Sequence, residues 1–64
     1  MTLGQRIKKL RKINGLSQQG LAEKIFVSPN NISDWENDKH KPDRGVRTLL
    51  EKVLSAEFSE EDFR

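Results

Sequence analysis

At 64 residues, with 33% hydrophobic and 34% charged, the chain has room for one domain, 1–64, with a modest core and a narrow stability margin, and none for a second active domain. It has no cysteine for disulfides or thiolate metal sites, its lone His40 stands between Lys39 and Lys41 without other ligands, and no apolar run suits a bilayer span or a secretory leader, so the expectation is a cytoplasmic protein with no metal, cofactor or membrane partner. The net charge of +2 is unevenly spread: residues 1–50 hold ten Lys or Arg against five Asp or Glu, and residues 51–64 hold two against five, which suits either an anionic partner such as a phosphate backbone on the first part or a set of solvated helix faces.

The first helix is expected to open at Thr2, with Gln5 three residues on as in a capping box and Leu3, Ile7 and Leu10 at helical spacing. Asn14-Gly15 ends it, because glycine takes the left-handed conformation that closes a helix. Ser17 caps a second helix of about nine residues whose inward positions are Leu21, Ala22 and Ile25. Phe26-Val27 interrupt the pattern. Ser28 followed by Pro29 then gives a cap with proline at the first helical position, where its missing N–H is harmless, and Ile32 and Trp35 lie on the inner face of a third helix, about 28–37. Lys39 to Pro42 form a loop, after which Asp43 is expected to cap a fourth helix with the buried stripe Val46, Leu49, Leu50, Val53 and Leu54. Ser59 with Asp62 is a weak capping box for a short last helix bearing Phe63, completing a helical segment 43–64. No alternating strand pattern or repeat is present, so the fold class is all-α, a bundle of four to five short helices.

Two short helices joined by a tight turn must cross steeply, which requires a small residue at the crossing and apolar residues on both facing surfaces. Residues 18–37 supply these in Ala22, with Leu21, Ile25, Val27, Ile32 and Trp35 around it. The run Leu16-Ser17-Gln18, Leu21-Ala22-Glu23-Lys24, Val27-Ser28, Ile32-Ser33 and Trp35-Glu36-Asn37 resembles the Cro/XRE family of phage-repressor helix-turn-helix proteins. The resemblance extends to the preceding helix with Arg11 and the following loop Lys39-His40-Lys41-Pro42. It implies a five-helix domain that docks its third helix in the major groove of double-stranded DNA, as a homodimer on a two-fold operator. Three positions depart from the family pattern: Phe26 and Asp38 stand where glycine is usual, and Gly20 where an acidic residue is usual. Phe26 must adopt an unusual backbone or alter the turn, and its ring is expected to cover the edge of the core.

The N-terminal part of a recognition helix meets base edges, which selects Pro29, Asn30, Ser33 and Asp34. The resemblance places base contacts at Pro29, Asn30 and Asp34, with Ser33 a lesser candidate. Asn30 suits adenine, Asp34 suits the cytosine amino group, and Pro29 offers only apolar contact. The third helix carries no Arg or Lys on its outer face, so bidentate reading of guanine is not expected. Candidates for phosphate contact are Ser17, Gln18, Ser28, Asn31, Lys39, His40, Lys41 and Arg44, Gln18 foremost by resemblance. The plainer alternatives are a helix start for Ser28 to Asn31, a lysine partner for Asp34 and a solvated loop for Lys39 to Lys41.

The resemblance also implies a partly buried structural ion pair between Arg11 and Glu36, and the phase of Trp35 makes it core rather than a base-stacking residue. Leu54, Phe58 and Phe63 either supply a dimer contact or close the core. No paired carboxylates, activated nucleophile or glycine-rich phosphate loop is present, so an enzyme is not expected. The function expected is a sequence-specific transcriptional regulator, a repressor, with a protein-interaction adaptor on the same core as the alternative.

Overall fold

Thr2 opens α1 (Leu3–Ile13) with a capping box: its hydroxyl accepts from the Gln5 N–H at 3.1 Å, and the Gln5 side chain accepts from the Thr2 N–H at 2.9 Å. The computed structural model describes residues 1–63, in which α1 is followed by α2 (Gln18–Lys24), α3 (Pro29–Glu36), α4 (Arg44–Leu54) and a 3-10 helix (Glu60–Phe63). Among the described residues there is no strand, so the all-α class stands, with the short last helix realised as a 3-10 turn. Ser17 caps α2 by accepting from Gly20 N–H at 2.9 Å, and Ser28 caps α3 ahead of Pro29, accepting from Asn31 N–H at 3.4 Å. The second helix is seven residues long, shorter than expected, because Ile25 already leaves the helical backbone as its C-cap.

Asp43 stands at the N-cap of α4 but makes no side-chain cap bond, contrary to expectation. The turn is closed instead by the backbone, Val46 N–H donating to the Asp43 carbonyl at 3.1 Å. Ser59 and Asp62 form half of a capping box: the Asp62 carboxylate accepts from the Ser59 N–H at 2.9 Å and from its hydroxyl at 3.2 Å.

The first three helices end in the same way. The N–H two residues past each C-cap turns back to a carbonyl five residues earlier: Leu16 to Arg11, Val27 to Ala22 and Lys39 to Asp34, at 3.0, 3.0 and 2.9 Å. This closure needs a left-handed residue between, and the three are Gly15 (φ 70), Phe26 (φ 62) and Asp38 (φ 59). Only glycine adopts that backbone freely; for a residue with a Cβ it costs about 1–2 kcal/mol, less for Asp.

Ile7, Leu21, Ala22, Ile25, Ile32, Trp35, Leu50, Leu54 and Phe58 form one buried cluster, with Val46, Leu49 and Val53 packed partly buried against it. Leu54 and Phe58 therefore close the core of the single chain and are not a dimer surface, while the Phe63 side chain and Arg64 lie outside what is described. The expectation for Phe26 is overturned: the residue is 85% exposed and is not packed against the core of the described residues, because the left-handed turn carries it outward.

α1 sits very close to the end of α3. A Cβ on Gly4 would lie 2.2 Å from the Trp35 carbonyl oxygen, so this crossing admits no side chain. Asp38 completes the joint: its carboxylate accepts from the Thr2 hydroxyl at 2.9 Å and from the Gly4 N–H at 3.2 Å. It thus supplies one of the orphan N–H groups of α1 with a partner from 34 residues away.

The chain after α4 folds back over the bundle. Asn14 Nδ2 donates to the Leu54 carbonyl at 3.1 Å, Phe58 N–H donates to Glu51 at 2.8 Å, and Arg47 donates to the Phe58 carbonyl. Arg6 holds the other side, pairing with Asp62 at 3.2 Å, donating to the Glu57 carbonyl at 3.1 Å and lying 4.8 Å from the centre of the Phe58 ring.

Candidate nucleic-acid interface

The two faces of α3 differ in kind. Ile32, Trp35 and Glu36 are buried, whereas Pro29, Asn30 and Asn31 are exposed and Ser33 and Asp34 are half-buried. The hydrophobic positions three apart pull one face into the core, so the others must face outward. Among the described residues, the side chains of Asn30, Asn31 and Asp34 have no hydrogen bond or ion pair, so no lysine neutralises Asp34. Ser33 is more committed, its hydroxyl accepting from Asn37 Nδ2 at 3.4 Å.

Behind this face lies a bidentate ion pair. Arg11 Nε donates to Glu36 Oε2 at 2.6 Å and Arg11 Nη2 to Glu36 Oε1 at 3.1 Å; each residue is only 8% exposed. Arg11 Nη1 donates to the Leu16 carbonyl at 2.9 Å, and Gln18 Nε2 donates to Glu36 Oε1 at 3.1 Å. No buried side-chain polar atom among the described residues lacks a partner. The network ties α1, the start of α2 and the end of α3 into one unit, and it orients the Gln18 amide, which keeps a second N–H for an outside acceptor.

Ser17 and Ser28 are exposed at the starts of α2 and α3. Their oxygens accept the cap bonds, leaving each O–H to donate outward. Lys39, His40, Lys41 and Arg44 are exposed on the far side of α3. Pro42 between them is buried, and together with Trp35, Leu3 and Asp62 it lines an open cleft, so the loop is anchored on α1 and α3 by its proline while its cations point to solvent or to neighbouring groups.

Several residues that shape this region carry no signal at the level of sequence spacing. Gly4 and Asp38 set the position of α3 relative to α1, and Arg6 fixes the chain after α4 from a separation of 56 residues to Asp62. The Arg47–Glu51 pair, at 3.4 Å, has the i,i+4 spacing that helix geometry brings together. Glu51 also accepts the Phe58 N–H, and this bond foremost, with Arg47 aiding and burial opposing, holds its carboxyl below the usual value of 4.5.

Residues 4–56 match the helix-turn-helix domain family. The chain is 48% identical over 59 residues to the immunity repressor protein of Bacillus phage phi105, covering 92% of this chain and 41% of that protein. It is 42% identical over 55 residues to the HTH-type transcriptional regulator ImmR of Bacillus subtilis (strain 168), covering 86% and 43% respectively. The chain thus spans about two-fifths of the length of these relatives. Among solved structures, the P22 c2 repressor in complex with a synthetic operator superposes with a TM-score of 0.83 at 30% identity, over 88% of this chain and 85% of that one.

Proposed function

The chain belongs to the helix-turn-helix domain family, of the Cro/XRE phage-repressor type, and from that premise we propose that it is a sequence-specific DNA-binding transcriptional regulator, a repressor acting by occupancy of its operator. The observation that carries this reading is the exposed outer face of α3. The Pro29, Asn30 and Asp34 side chains make no hydrogen bond or ion pair among the described residues, while the inner face is bolted to the core through Glu36. A helix held this firmly at its back and left open at its front suits insertion into the major groove.

In this reading Asn30 bonds an adenine edge, Asp34 accepts from a cytosine amino group, Pro29 packs against a thymine methyl, and Ser33 is a lesser contact. Ser17, Gln18, Ser28 and Asn31 donate to phosphates on one side of the groove; on the other, Lys39, Lys41 and Arg44 neutralise phosphates and His40 contacts one by a ring N–H. Because α3 has no cation, most of the affinity comes from those phosphate contacts, and specificity leans on DNA shape. The protein acts by binding and not by catalysis, as a homodimer on a two-fold site in the cytoplasm; none of its helices is long and apolar enough to cross a membrane among the described residues.

Selection from random duplexes followed by titration across a salt series tests the proposal. The expected result is an enriched sequence whose binding weakens steeply with salt. The absence of cations on α3 is the one feature that favours a protein-interaction adaptor, and failure to enrich or bind any duplex would support that reading instead.

A further inference from the structure

Phe26 is the anomaly of the surface. It holds a left-handed backbone (φ 62) in the turn between α2 and α3, and it is 85% exposed, neither within the core of the described residues nor packed against it. Glycine would make the same closing bond from Val27 N–H to the Ala22 carbonyl without strain and without an exposed ring. The fold therefore gains nothing from this side chain. A strained and solvated aromatic points to a contact made outside the folded chain.

Its place in the fold selects the partner. Phe26 precedes Pro29, the first residue of α3, by three positions, a stretch of chain that spans at most about 10 Å. The ring thus sits beside the end of the helix that enters the groove. The far flank of α3 has Lys39, Lys41 and Arg44, whereas from Ile25 to Asp38 there is no Lys or Arg, and the cation nearest to the turn in sequence is Lys24 at the end of α2. The wall of the groove there offers apolar surface, deoxyribose rings and thymine methyls, to which an aromatic ring is matched.

We propose that Phe26 is a DNA-contacting residue, its ring packing on the deoxyribose and thymine-methyl surface at the edge of the major groove beside the start of α3. The proposal rests on the DNA-binding reading of α3.

The test compares the wild-type chain with Phe26→Gly and Phe26→Trp, using the duplex enriched by selection, several salt concentrations, and thermal melting of each protein. Phe26→Gly is expected to melt no lower than wild type yet to bind about tenfold more weakly, the loss of one apolar anchor. Its salt dependence should be unchanged, since no phosphate contact is lost. Phe26→Trp should retain affinity and report duplex binding through its indole fluorescence. If Phe26→Gly binds as tightly as wild type, or if its affinity falls only together with its melting temperature, the proposal is overturned and the DNA-binding reading stands. Wild-type protein that binds no duplex removes that reading and this proposal together.

Discussion

The two ends of α3 are built on the same turn and used in opposite ways. Each follows a helix terminus closed by a left-handed residue other than glycine, Phe26 ahead of α3 and Asp38 behind it. At Asp38 the backbone cost is offset, because the carboxylate bonds the Thr2 hydroxyl and the Gly4 N–H and so fastens the end of α3 to the start of α1. At Phe26 no contact among the described residues offsets it. The far end of the helix is thus where stability is gathered, and the near end is where strain and apolar surface are left open to a partner. The contrast shows that an unfavourable backbone is informative only together with what its side chain touches.

The largest way to break this arrangement is to remove the ion pair at the back of α3. Glu36→Ala leaves the Arg11 guanidinium buried without its partner, at about 3 to 5 kcal/mol. A domain of this size has a total stability of only about 3–10 kcal/mol. Circular dichroism should show melting lowered by about 15 °C or more, and melting like wild type would mean that the pair does not hold the fold. Gly4→Ala tests the crossing itself. Helix propensity favours alanine by about 0.5–1 kcal/mol, but the added Cβ would meet the Trp35 carbonyl at 2.2 Å, and overpacking of about 1–3 kcal/mol should win. A variant that melts higher than wild type would show that the close approach is absent.

Asp38→Gly sharpens the comparison directly. It relieves the left-handed backbone and loses two hydrogen bonds, for a net destabilisation of about 1 kcal/mol, whereas Phe26→Gly should leave melting unchanged or raise it. Equal effects of the two glycine substitutions on melting would erase the distinction between the two ends. The smallest effect concerns pH. Glu51 has a folded-state carboxyl below its ordinary value of 4.5, chiefly because it accepts the Phe58 N–H, so its contribution is fully present above about pH 4.5 and is lost as pH falls through the lowered folded value. Amide exchange at Phe58 should quicken in that acid window before exchange in α1 to α3 does, and simultaneous loss of protection would show that Glu51 does not govern this segment.

How much of the site was legible varies with the reach of the contact. The caps at Thr2, Ser17 and Ser28 and the buried faces of α2, α3 and α4 follow from residues three or four apart, which helix geometry brings together whatever the rest of the chain does. Asp43 fails as a cap because a suitable residue at the N-cap still has to orient its side chain, and here the backbone closes the turn without it. Leu54 and Phe58 were ambiguous because an apolar residue at the end of a chain packs equally well inward or on a second copy; only the fold-back held by Arg6, Arg47 and Glu51 turns them inward.

The sequence by itself determined the helices, their order and the inner face of each, since these rest on local periodicity and capping. The tertiary structure decided three things: that Gly4 and Asp38 join α1 to α3 across 34 residues, that Gln18 shares Glu36 with Arg11, and that the Phe26 ring points to solvent. The physical reason is that local hydrogen bonding and apolar spacing repeat within a helical turn, whereas a close crossing or the direction of a ring depends on how whole helices pack.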